Sequence, residues 1–117
     1  MHSLIDAIYA ISPDIRYVAV YANGALSASS QPGRLGASAS ESDRYEELIV
    51  NPTLLTLVRQ RGEIDCGGVQ YVLIRYGNFY QFVAPLREGH LSVCIEPTAD
   101  PLSLAAPILD AARRYEV

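Results

Sequence analysis

Val69-Gln70-Tyr71-Val72-Leu73-Ile74-Arg75-Tyr76, then Gly77-Asn78, then Phe79-Tyr80-Gln81-Phe82-Val83-Ala84: two runs of β-branched and aromatic residues meet at a glycine–asparagine pair. That arrangement predicts a β-hairpin with a two-residue turn. In the register such a turn imposes, Tyr71, Leu73, Arg75, Tyr80, Phe82 and Ala84 share one face. Val72, Ile74, Tyr76, Phe79, Gln81 and Val83 share the other. Both faces are largely apolar, so the hairpin predicts a sheet covered on both sides. Arg75 stands opposite Tyr80, where a guanidinium on the ring is worth about 0.5–1 kcal/mol at an exposed site.

Working outward from the hairpin, residues 90–95 alternate cleanly, with Leu91, Val93 and Ile95 on one face and His90, Ser92 and Cys94 on the other. Asp100-Pro101 opens a last helix with an apolar face of Leu104, Ala105, Ile108, Leu109 and Ala112. Pro107 falls inside it, which predicts a late start near Ser103 or a kink. At the other end, residues 3–10 predict a short helix, with Ser3 and Asp6 in capping-box spacing and an apolar stripe of Leu4, Ile5, Ile8 and Ile11. Ser12-Pro13-Asp14 ends it. Residues 15–21 follow as a strand, and Asn23-Gly24 predicts a second two-residue turn that sets Tyr21 opposite Leu26, Val20 opposite Ser27 and Val18 opposite Ser29. Six serines with Pro32, Gly33 and Gly36 over 27–42 predict a flexible, exposed loop.

The middle of the chain, 43–61, reads as helix, started by Ser40-Glu41-Ser42-Asp43. Tyr45, Leu48 and Ile49 form one stripe; Leu54, Leu57, Val58 and Arg61 form a second. At about 100° per residue the two stripes lie on nearly opposite sides of one continuous helix. Asn51-Pro52 stands between them, and an interior proline costs about 3 kcal/mol. Either the helix breaks at Asn51 and turns its second half inward, or it is continuous and both sides are buried, one by a partner. Arg59 and Arg61 suit a last turn, and Gly62 suits the cap after it. The order is helix, two strands, helix or helix pair, three strands, helix. That predicts an α+β fold over residues 1–117: one five-stranded antiparallel sheet with helices packed on it.

Composition narrows function. Of 117 residues half are hydrophobic and 19% charged, the balance of a globular chain. All nine basic residues are arginines. Without lysine, a Schiff-base or pyridoxal enzyme, a Walker-type P-loop and a kinase core are excluded. A net charge of −4 with no basic cluster argues against a nucleic-acid partner. The acid at Asp6 and the lack of a basic start do not fit a signal peptide, and no apolar run reaches the ~20 residues of a membrane helix. The expectation is a cytoplasmic protein with two reduced thiols.

Candidate chemistry is sparse. His90 and Cys94 share a strand face, but four residues of strand span about 13 Å, which excludes a dyad within the strand. Cys94 reads as a packing residue and His90 as a polar strand-edge residue. His2, Cys66, His90 and Cys94 lack the paired spacings of a zinc site. Asp65-Cys66-Gly67-Gly68 reads as a helix-to-strand connection. Glu41, Asp43, Glu46 and Glu47 read as a solvated acidic face. Tyr17, Tyr21, Tyr71, Tyr76 and Tyr80 fall on strands, lining a pocket or an interface or simply following strand preference. No catalytic, cofactor or metal site emerges.

The helix–ββ–helix–βββ–helix order, with the hairpin turning at Gly77-Asn78 and the middle helix ending at Gly62, resembles the roadblock/dynein light chain family of the profilin-like group. The resemblance runs from Ser3 to Arg114. It implies a non-enzymatic regulatory or scaffold protein without cofactor, forming homodimers and working beside a small GTPase or motor. By that resemblance the dimer would be built from 45–61 and 69–76, with Tyr45, Leu48, Leu54, Leu57, Val58, Arg61, Tyr71, Leu73 and Arg75 at the interface. The same order also looks like PAS and GAF sensor domains, which hold a small ligand between sheet and helices.

Overall fold

The computed structural model describes residues 2–30 and 40–115. Its elements are α1 (His2–Tyr9), β1 (Ile15–Ala22), β2 (Ala25–Ser30), α2 (Ser40–Tyr45), α3 (Asn51–Asp65), β3 (Val72–Arg75), β4 (Tyr80–Leu86), β5 (Gly89–Ile95) and α4 (Pro101–Tyr115), with a π-helical segment at Glu46–Val50 joining α2 to α3. The five strands form one antiparallel sheet in the order β2-β1-β5-β4-β3. Both hairpins take the expected register, Tyr21 facing Leu26 and Arg75 facing Tyr80. The Arg75 guanidinium lies 5.0 Å from the Tyr80 ring centroid.

One face of the sheet carries the main core. Val18, Val20, Phe82, Ala84, Leu91, Val93 and Ile95 pack there under α1 and α4. Leu4, Ile5 and Ile8 of α1 and Ala105, Ile108, Ala111 and Ala112 of α4 close it. Phe82 is fully buried; burying one such ring stabilises by about 1.5–3 kcal/mol. The α4 helix begins at Pro101 rather than near Ser103 and runs through Pro107. Proline is well suited to a first turn, and Ser103 Oγ donates to the Asp100 carbonyl at 2.7 Å.

The other face lies under the middle helix, which does not break at Asn51-Pro52. Val50 and Asn51 keep helical dihedrals. The turn before them widens instead: the Asn51 N–H reaches back five residues to the Glu46 carbonyl. A proline ring clashes with the carbonyl four residues earlier, and a π turn redirects the carbonyls there. Nor does the helix end at Gly62. It continues to Asp65, and the reversal falls on Gly67 and Gly68, both with positive φ. Gly62 is buried inside the helix against Val69.

Of the serine-rich stretch, residues 27–30 belong to β2 and 40–42 open α2; 31–39 lie outside the described residues.

Candidate functional site

The inward residues of the middle helix are not its apolar stripes. They are Glu47, Asn51, Leu55 and Gly62. The strands opposite explain this, because β4 and β5 turn Gln81, His90, Ser92 and Cys94 to this face, and all four are buried. A polar sheet face calls for polar partners, since a buried group left unbonded costs about 1–3 kcal/mol. His90 Nε2 lies 2.8 Å from Glu47 Oε1, and Asn51 Nδ2 donates to the same oxygen at 2.9 Å. Gln81 Nε2 donates to Ser92 Oγ at 2.5 Å, and the Cys94 thiol donates to Gln81 Oε1 at 3.1 Å. The Tyr21 ring stacks on His90, centroids 5.7 Å apart. His90 is thus not at a strand edge: β5 is the central strand of the sheet. Glu47 is not solvated either, being fully buried.

Beside this cluster a cavity of about 350 Å³ opens between α2, the π segment and the β3–β4 turn. Tyr17, Asp43, Glu46, Glu47, Tyr76 and Phe79 contribute to its lining. The Tyr17 hydroxyl, Glu47 Oε2 and Asn51 Oδ1 are buried with no hydrogen-bond partner among the described residues. Burial, reinforced by the charges of Glu47 and Asp43, pushes the Tyr17 hydroxyl far above its ordinary pKa. Burial and then the Glu47 charge push the Glu46 carboxyl up. Among the described residues no group of three or more histidine, cysteine or acidic side chains is placed to hold a metal ion.

Burial, followed by the Glu47 charge, also raises the Cys94 thiol well above its usual range, while Cys66 is exposed. The thiolate is the reactive form, so one thiol is expected to react with Ellman's reagent at about pH 8 in the native protein and a second only after denaturation. Two native thiols reacting at one rate would contradict the burial of Cys94.

No protein-family model matches the chain, and no curated protein matches it. Solved structures do. A Roadblock/LC7 domain from Streptomyces avermitilis superposes with a TM-score of 0.69 at 18% identity, over 96% of this chain and 93% of that one. The chain has the roadblock fold. The gliding protein mglB from Thermus thermophilus superposes with a TM-score of 0.63 at 8% identity, over 97% of this chain and 90% of the other.

Within the roadblock fold the residues singled out from sequence separate into two groups. Tyr45, Leu48 and Leu57 are exposed on the middle helix, joined by Ile49 and Ile64. Leu54 and Val58 are half-buried, and Arg61 is exposed and paired with Asp65 one turn on. Tyr71 and Leu73 point to the opposite side of the sheet and pack on the main core, Tyr71 stacking on Phe82 at 4.9 Å. Arg75 shares their face, over Tyr80. On the helix side, the outer strand β3 instead presents Val72 and Ile74, both half-buried. Sequence reasoning missed the Glu47–His90–Asn51 cluster. Its signal was the polar run His90, Ser92 and Cys94 at period two on β5, joined by Gln81 on β4.

Proposed function

We propose that this protein is a non-enzymatic, cytoplasmic regulatory or scaffold protein that works as a homodimer. Its partner would be another protein, of the small GTPase or motor type that the roadblock resemblance implies, and not nucleic acid or membrane. One observation carries the reading. The outward side of the middle helix exposes large apolar side chains, with Tyr45 60%, Leu57 61% and Ile64 74% accessible. A row of such residues along one helix is what a monomer in water covers with a second surface. The half-buried Val72 and Ile74 on the neighbouring edge strand extend the same surface, and an edge strand offers unpaired backbone groups to a partner. No described helix is long and apolar enough to cross a membrane.

Light scattering tests the reading. The expected mass is near twice 12.8 kDa, falling to the single-chain value in Leu57→Glu and in Tyr45→Glu, both at exposed positions that leave the core intact. A wild-type protein that stays at the single-chain mass as its concentration is raised would overturn the dimer.

A further inference from the structure

The cavity beside the π segment has an acidic side. Three carboxylates contribute to its lining, from Asp43, Glu46 and Glu47, and burial, followed by the Glu47 charge, makes Glu46 costlier to ionise. Arg16 borders the cavity: its Nη1 lies 3.2 Å from Glu96 Oε1 and 3.2 Å from the carbonyl of Asn78, itself a lining residue. Two buried groups beside the cavity, the Tyr17 hydroxyl and Glu47 Oε2, have no hydrogen-bond partner among the described residues, and buried polar groups are otherwise almost always bonded. The Tyr76 and Phe79 rings, 5.2 Å apart and tilted by 41°, give the cavity an aromatic wall.

We propose that this cavity binds a small planar organic cation, a guanidinium or amidinium group, between the Glu46 and Glu47 carboxylates and the Tyr76–Phe79 wall.

Each feature selects for that chemistry. The carboxylates exclude anions and favour cations. Acceptors at several angles suit a planar fork of N–H donors, which forms charge-assisted hydrogen bonds to carboxylates and stacks on aromatic faces. The Arg16 guanidinium already lies 5.6 Å from the Phe79 centroid, so the wall accepts this group. A bare metal ion is disfavoured, because among the described residues no three histidine, cysteine or acidic side chains are grouped to hold one. A volume of about 350 Å³ fits the low end of small-ligand sites. Binding at this cavity does not depend on dimerisation.

The test is calorimetric titration of the full chain with agmatine, with n-butylurea as the uncharged planar control. Saturable binding of agmatine and none of n-butylurea is expected, together with a melting temperature that rises with agmatine concentration. Glu46→Gln, folded by circular dichroism, should weaken binding about tenfold or more. Tyr17→Phe removes an unbonded hydroxyl, so it should keep the unliganded melting temperature and lose part of the affinity. The same guanidinium could arrive on a free metabolite or on an arginine of a polypeptide. Tighter binding of agmatine than of an acetylated, amidated glycyl-arginyl-glycine peptide supports the first source, and the reverse order supports the second. Absence of saturable binding to either probe, equal binding of n-butylurea, or undiminished binding by both variants would overturn the site.

Discussion

His90→Leu is expected to destabilise the protein by about 3–5 kcal/mol, read from the urea midpoint at unchanged slope. Glu47 is fully buried, and its Oε1 is held by His90 at 2.8 Å and by Asn51 at 2.9 Å. Its second oxygen has no partner among the described residues. Removing the imidazole leaves the buried carboxyl with one amide donor, and an uncompensated buried charge is among the costliest lesions a fold can carry. Total stabilities of small domains are about 5–15 kcal/mol, so a loss of this size is a large share. The paired variant Glu47→Leu with His90→Leu separates two explanations. If the cost arises from the stranded carboxyl, the double replacement should recover most of it, since apolar pairs often replace buried ionic ones without loss. If it arises from the lost Tyr21–His90 stack or from packing, the double variant will be no better than the single. A single-variant loss below about 1 kcal/mol would mean that Glu47 is solvated.

Gly89→Ala should be as damaging for a different reason. Gly89 opens β5 and pairs with Ala22 of β1. A Cβ there would lie 1.7 Å from the Tyr21 carbonyl oxygen and 3.1 Å from Ala22 Cα. Those obstacles are backbone atoms of the neighbouring strand, so no rotamer change relieves them. The strands must part at the end where the Asn23 N–H also bonds to the Glu88 carbonyl at 3.0 Å. We expect a loss above about 3 kcal/mol and a fall in melting temperature of about 10 °C or more. Gly77→Ala is the control, because a Cβ at Gly77 meets nothing within 4 Å. A Gly89→Ala protein that melts with the wild type would show that β1 and β5 do not approach as closely as described.

The sheet is legible from sequence because strand faces follow a period of two and the two turn dipeptides fix the registers. Alternation alone assigns Val93 and His90 to opposite faces, and the pairing of Arg75 with Tyr80 follows from counting back from Gly77-Asn78. The middle helix is harder. Its apolar positions, Tyr45, Leu48, Ile49 and Leu57, point outward, and a rule that sends apolar residues inward misplaces Glu47 and Asn51. What draws those two inside is the polarity of Gln81, His90, Ser92 and Cys94, residues 30 or more positions away in sequence. Local pattern carries no information about a face that another element supplies. Pro52 misleads for a related reason: its cost inside a regular α-helix is real, but the backbone meets it with a wider turn rather than a break.

That wider turn also affects how this chain is compared with others. The segment Glu46–Val50 holds one residue more than an α-turn would, yet the helix on either side of it runs on. It is therefore a place where the chain can gain or lose a single residue in mid-helix, where alignments normally forbid gaps. Against a relative whose helix is α-helical throughout, an ungapped alignment puts one half of this helix out of phase, and Glu47 or Leu55 is then matched to residues of the wrong side. The gap belongs at 46–50 and not in a flanking loop, so backbone superposition is the sounder guide to equivalent residues along this helix.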